Sequence, residues 1–506
     1  MKNAMPYLLA IVSLSLIVCD VSLAQLPALS KSQQKLLNLI RSNTSSKTKL
    51  PFSFYIQKDD KPQVYAQMGT IDSVQGIIER MIVEEGLVIY DGAVAQIVLA
   101  LSGDNIDLAR AEIPVQIYWK GQVGELQSIR AGNSNGQFVY DPNNTSVVSS
   151  DPAMLGRRGF IYRIINANGK YSTVDPLDGK SQQANFPTWP TIHWEDWKPI
   201  AGENAWVTMA ALHIYHQKYY DEYREEYFQN FDAIELQLAQ EISRAALMLQ
   251  ADNGGIRMAP IGTFREGDTS DPGKWWYNQI STENNLSWYG AFRMLFEITG
   301  QKEYQVAMDH LENYFTKVWN PNERYFYQGM NFTENLWKTN NDQFALDVQT
   351  WGILALGPEK IDRMFGIGSA YHMWINGKNH SGVFDQDHHL VGVGFTDEHD
   401  RISVEWTSGA IMAVRELSIY YKDTYPSWAN ECLEDATSMR QGIELLKTDL
   451  SKEQAGYSYS SKRGWIPFGW NSHDPKVLSL ASTGWVVLVD SQFNPFFLPH
   501  KQFINK

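Results

Sequence analysis

Six times along this chain a short polar or acidic start runs straight into a helix-length stretch that is apolar on nearly every side and rich in Ala and Gly. The starts are Tyr90-Asp91-Gly92-Ala93, Ala201-Gly202-Glu203-Asn204, Ser281-Thr282-Glu283-Asn284, Leu346-Asp347-Val348-Gln349, Ser403-Val404-Glu405-Trp406 and Ala481-Ser482-Thr483-Gly484. A helix that is apolar all round is buried on most sides, and its small residues let neighbouring helices approach closely. Between these helices lie partners of another kind. Ile234, Leu238, Ile242, Ala245 and Leu249 recur at helical spacing among Glu235, Gln237, Gln240 and Arg244, and Val306, Leu311 and Phe315 read as a similar stripe. Such helices have one wet face. Buried helices alternating with amphipathic ones describe an inner ring inside an outer ring.

The starts are 58 to 112 residues apart. Two helices of about 15 residues plus their turns need about 40–50 residues, so the remainder is loop. The largest excess lies between Lys120 and Pro199. There Gly, Asn, Ser and Pro clusters surround short β-like runs such as Gly159-Phe160-Ile161-Tyr162-Arg163, which predicts small hairpins over one end of the ring. The reading is one mainly α domain over residues 65–500, preceded by a polar arm at 25–64 with a helix near Lys31–Ser42.

This layout resembles the six-hairpin glycosidase superfamily, the (α/α) toroids with six inner and six outer helices. The resemblance covers roughly residues 65–500 and rests on the six starts. It implies a cleft at one end of the inner ring, lined by the loops there, and a carbohydrate substrate. It does not fix the reaction, because the fold hosts hydrolases, lyases, epimerases and phosphorylases.

Five of the six inner helices begin with a carboxylate: Asp91, Glu203, Glu283, Asp347 and Glu405. In a toroid these starts converge on one mouth. Carboxylates also favour helix N-termini for a simpler reason, because unpaired N–H groups and the macrodipole stabilise them by about 0.3–1 kcal/mol each, so each one taken singly reads equally as a cap. Glycoside cleavage needs only two of the five, one protonated acid and one ionised base or nucleophile. A helix N-terminus favours the ionised form, so the acid has to gain burial or a like charge. Glu283 follows Trp275-Trp276-Tyr277 and precedes Trp288, which makes it the candidate acid. Glu405 follows the charged segment Asp397-Glu398-His399-Asp400-Arg401 and is the candidate base, with Asp347 in reserve. Glu203, Asp91, Trp275, Trp276, Trp288, Trp406 and Trp470 are the candidate substrate contacts.

Aromatic residues make up 13% of the chain, including 17 Trp and 25 Tyr. So many flat, partly polar rings exceed what a core requires and suit the stacking of sugar CH faces. Clusters at Trp189-Pro190, Trp194 to Trp197 and Trp465 to Trp470 read either as platforms or as anchors for long loops. The net charge of −14 argues against a nucleic-acid backbone or an anionic membrane surface as partner, and mildly against a polyanionic substrate. Asp385-Gln386-Asp387-His388-His389 with His399 matches no metal loop and reads as a solvated loop. His213 reads as a core residue. No nucleophile elbow, phosphate loop or dinucleotide fingerprint occurs, and no metal or cofactor is expected.

Residues 1–24 read as a secretory signal. Lys2 precedes an apolar run from Tyr7 to Val18, and Ser22-Leu23-Ala24 suits cleavage before Gln25. A lipoprotein anchor on Cys19 is the alternative, though Val18 is unfavourable for it. The expected location is outside the cell or periplasmic, with no membrane span after cleavage. Of the two cysteines, Cys19 lies in the leader, which leaves Cys432 without an intrachain partner. Three functions compete: an exported glycoside hydrolase, a polysaccharide lyase or epimerase on the same fold, and a non-catalytic glycan-binding protein. A lyase would require cations at the mouth, and Arg257, Arg265 and Arg401 are scattered.

Overall fold

A computed structural model describes residues 29–68, 74–120, 160–161, 163–168, 200–228, 230–259 and 276–502. The leader at 1–24, Trp275, Arg265, the Trp189 and Trp194 to Trp197 clusters and most of the long 120–199 connection lie outside them.

Fifteen helices occur among the described residues. In chain order they are α1 (Lys31–Ser42), α2 (Lys61–Gln67), α3 (Val74–Glu85), α4 (Ile89–Ala100), α5 (Asn105–Lys120), α6 (Ala201–Tyr219), α7 (Ile234–Met248) and α8 (Thr282–Thr299). There follow α9 (Lys302–Lys317), α10 (Leu346–Leu356), α11 (Pro358–Phe365), α12 (Ser369–Ser381), α13 (Val404–Tyr421), α14 (Pro426–Glu444) and α15 (Leu480–Asp490). Each of the six starts opens one helix of the set α4, α6, α8, α10, α13 and α15. These pack in that order, and α15 closes back on α4, so they form a complete inner ring. The outer layer is α5, α7, α9, the α11–α12 pair, and α14, each on its own inner partner. The fold is the (α/α) six-hairpin toroid.

The sixth outer position is filled from the other end of the chain. No helix beyond the short Pro499–Lys501 turn follows α15 among the described residues, and α1 packs against α15 instead. Its stripe of Leu36, Leu37, Leu39 and Ile40 is buried, and the Gln33 amide donates to Ser491 Oγ at 2.9 Å. The segment read as an arm therefore carries an element of the ring, because an amphipathic helix buries its apolar face wherever a complementary groove is open. Val306 also differs from the sequence reading. It is exposed on α9, whose buried face is Tyr304, Ala307, Met308, Leu311, Tyr314 and Phe315.

Glycines set the spacing of the inner ring at two seams. A Cβ on Gly484 of α15 would meet Val94 Cγ1 of α4 at 2.7 Å, and one on Gly202 of α6 would meet Asn284 Oδ1 of α8 at 2.1 Å. Gly484→Val should therefore destabilise the fold by about 1–3 kcal/mol, read from the denaturant midpoint, because overpacking a closed ring forces a backbone shift.

Small antiparallel strand pairs decorate the ring. Gly86–Val88 pairs with Ile164–Asn166, Gly464–Ile466 with Trp470–Ser472, and Gly329–Thr333 with both Leu336–Asn340 and Gln279–Ser281. The strand expected around residues 159–163 thus lies a few residues later. Cys432 is free and fully buried in α14, and burial pushes its thiol up to about 12. No helix among the described residues is long and apolar enough to cross a membrane.

The far end of the ring is closed by the segment after α15. Phe493, Phe496, Phe497 and Leu498 are buried there. His213 Nε2–H donates to Pro495 O at 2.9 Å, Arg293 to Phe496 O at 2.7 Å, and the Asn494 amide to Leu354 O at 3.1 Å and Glu416 Oε1 at 2.6 Å. Four inner helices, α6, α8, α10 and α13, thereby grip one strap.

Candidate active site

At the other end the inner-helix N-termini surround a cavity of about 450 Å³, within the range of small-molecule sites. Asp91, Glu203, Glu283, Asp347 and Glu405 all line it. Each sits in the first turn of its helix.

Capping does not account for the two candidate catalytic residues. Ser281 caps α8 by accepting from Asn284 N, and Ser403 caps α13 by accepting from Trp406 N. Glu283 and Glu405 stand two residues further in, at the cavity. Glu283 accepts from Ser287 Oγ at 3.3 Å, and Glu405 Oε1 accepts from Tyr90 OH at 2.6 Å. Asp347 Oδ1 accepts from Val348 N at 2.8 Å, so this one does bond its own helix start. Glu203 pairs with Arg163 at 2.8 Å.

Burial and mutual repulsion act on these groups together. Glu283 is raised well above the usual carboxylate range, first by burial and then by Asp347 and Glu203. Burial lifts Asp347 to about 7 against the opposing Val348 amide bond, with Glu405 adding to the rise. Burial lifts Glu405 to about 7 against the Tyr90 bond. Asp91 stands at about 8, through burial opposed by a Ser53 hydrogen bond and reinforced by Glu405. The Ser287, Tyr90 and Val348 groups each favour an ionised carboxylate, so the site opposes burial with directed donors.

The cavity floor is aromatic. Trp206 of α6 and Trp351 of α10 line it, 5.1 Å apart between ring centroids, and both rest against Phe496 of the far-end strap at 5.4 and 5.7 Å. Trp276, Trp406 and Trp470 line the walls. Trp406 lies between Phe395 and Phe468, and Trp470 Nε1 donates to Tyr459 OH at 2.8 Å. Trp465 stands at the rim on the same hairpin and is 54% exposed.

Trp288 is a correction. It is fully buried beside Phe160 and Phe292, its indole N–H donates to Ala201 O at 2.9 Å, and it does not line the cavity. It joins α8 to α6 in the core and has no open face for a sugar.

Of the arginines considered from sequence, neither described one lines the cavity. Arg257 stacks on Tyr277 and Trp337, and Arg401 holds Ser472 Oγ and the Trp465 carbonyl. The arginine that does line it is Arg163, which the sequence reading quoted only as part of a β-like run. Glu79 of α3 and His473 also lie on the wall. Glu79 is held down at about 2 by Arg463 and His473, against burial. The Asp385 loop is exposed and bonds within itself, Asp385 accepting from His389 N at 2.8 Å and Asp387 N at 3.0 Å.

No family model matches the chain, and no curated protein matches it in sequence. Solved structures do. Cellobiose 2-epimerase from Bacillus thermoamylovorans is 9% identical with a TM-score of 0.53, over 91% of this chain and 97% of that one. A sugar epimerase from a ruminal bacterium is 9% identical with a TM-score of 0.52, over 91% and 97%. A D-mannose isomerase is 10% identical with a TM-score of 0.51, over 91% and 96%. At these identities the likeness shows the fold. These three proteins are carbohydrate-processing enzymes.

Proposed function

We propose that the protein is an exported glycoside hydrolase acting on a neutral poly- or oligosaccharide. Glu283 is its general acid, and Glu405 its base or nucleophile, with Asp347 in reserve. The observation that carries this reading is the convergence of Glu283, Asp347 and Glu405 on one aromatic-floored cavity, while serines make the caps of α8 and α13. Glycoside cleavage asks for two carboxyls whose environments push them apart. Burial and the like charges of Asp347 and Glu203 raise Glu283 well above the usual carboxylate range, against the Ser287 hydrogen bond, which suits it to the acid role. Glu405 accepts a hydrogen bond from the Tyr90 hydroxyl, which favours its ionised form and suits it to the base or nucleophile role. Protonation of the leaving oxygen by one and attack, direct or through water, by the other follow from that difference.

The charge of the site favours a neutral sugar. Among the described residues six carboxylates line the cavity, Glu79 included, and the arginine there, Arg163, is already bonded to Glu203. Among the described residues a uronate would bring another negative charge without an unpaired arginine or lysine to meet it, which weighs against a lyase. Export rests on the leader at residues 1–24.

Incubating the chain from Gln25 onward with a panel of neutral and uronic glycans tests the reading. New reducing ends on neutral glycans, without absorbance of unsaturated products, are the expected result. Unsaturated products would replace it with a lyase. Epimer interconversion seen by NMR, without new reducing ends, would replace it with an epimerase. Binding with no product at all would leave a glycan-binding protein.

A further inference from the structure

Behind Glu405 lies a hydrogen-bond chain whose direction is set by chemistry. Trp485 Nε1 of α15 is 2.7 Å from Tyr90 OH of α4, and that hydroxyl is 2.6 Å from Glu405 Oε1 of α13. An indole N–H only donates. The Tyr90 oxygen therefore accepts from Trp485, and its single proton is directed onto Glu405. Both ends are rigid. Trp485 and Tyr90 pack with Trp206 and Trp351 at centroid distances of 5.0 to 6.1 Å.

We infer that Tyr90, oriented by Trp485, is a positioning residue that holds Glu405 Oε1 and favours its carboxylate form; this rests on reading Glu405 as the base. The relay joins three inner helices that are adjacent across the ring's closing seam. It thus ties the closure of α15 onto α4 to the orientation of a carboxylate on α13. The charged and titratable groups that act on or around Glu405 are Tyr90 and Asp91 from α4, Glu283 from α8, Asp347 from α10, and Tyr459, whose carbonyl accepts from Val404 N at the start of α13. All but Tyr90 are either like charges or groups bonded elsewhere, so Tyr90 is the donor that favours the Glu405 anion.

The test reads Glu405 itself. Carbon-13 labelling of glutamate side chains, with E405Q to identify the signal, gives the Glu405 titration midpoint in wild type, Tyr90→Phe and Trp485→Phe. Tyr90→Phe keeps the ring and removes the hydroxyl. Its midpoint should rise by about one pH unit, a tenfold change in proton affinity, because a hydrogen bond to the ionised form is lost. Trp485→Phe frees the hydroxyl to rotate and should give a smaller rise of the same sign. If Tyr90→Phe does not fold, Trp485→Phe carries the same test. On any substrate the protein turns over, the acidic limb of the kcat profile should move up with the midpoint. A residue that only packs would lower activity without moving that limb. An unchanged midpoint in both variants overturns the relay, whatever the reaction. A raised midpoint in a protein that hydrolyses nothing upholds the relay and overturns the hydrolase reading alone.

Discussion

Glu283→Gln should lower the rate on a glycoside with a poor leaving group by about 10²–10⁴, and by much less on one with an activated aryl leaving group. The amide keeps the shape and the Ser287 contact of the acid but has no proton to deliver. An aryl oxide leaves with little help, so it does not need that proton. Kinetics on both substrates, with circular dichroism to confirm the fold, separate the cases. Small and equal losses on the two would remove Glu283 from the catalytic pair and pass its role to Glu203 or Asp347. Because Ser281 already caps α8, little loss of stability should accompany the change.

The second large effect is on stability against pH. Asp91 at about 8, Asp347 at about 7 and Glu405 at about 7 stand above the ordinary carboxylate value of about 4 that the unfolded chain would show. Between those values the folded chain holds more protons than the unfolded one. Stability from these groups is therefore complete below about pH 4 and is lost as pH rises through 7 to 8. Because the groups interact, their joint contribution is on the order of a few kcal/mol rather than a sum of separate shifts. Glu79 and Glu444 are depressed to about 2 and act at the acid end, so they do not vary above about pH 5. Urea midpoints should fall from pH 5 to pH 8.5, and the fall should shrink in Asp91→Asn with Glu405→Gln. A remainder will persist, because Glu416, buried at the far end, stands at about 8. A flat profile in the wild type would mean that water reaches the cavity carboxyls and their burial is not felt.

The ring and its carboxylates were legible in sequence because both are local signals. Each inner helix announces itself by a start, and each acidic start lies within one turn. Trp276, Trp406 and Trp470 were read as facing the cavity and line it, but Trp288 was wrongly included and Trp206 and Trp351 were missed, although helical geometry contains the answer. Trp206 is three residues after Glu203 and Trp351 four after Asp347, so both share a face with their carboxylate. Trp288 is five after Glu283, about 140° further round, and enters the core. Arg163 was missed because it arrives beside a strand paired across the sequence, Ile164–Asn166 on Gly86–Val88, and such pairing leaves no local trace. The role of α1 was missed for a related reason. The first helix of a ring meets the last only in space, and such a contact leaves no local trace in the sequence.

The strap across the far end makes the toroid a cup rather than a tube. With Phe496 seated beneath Trp206 and Trp351, a glycan cannot be threaded through the axis. Whatever reaches the floor must enter and leave by the same mouth. On the hydrolase reading proposed above, product and incoming substrate would share that one opening, so product would have to leave before the next molecule could reach the floor.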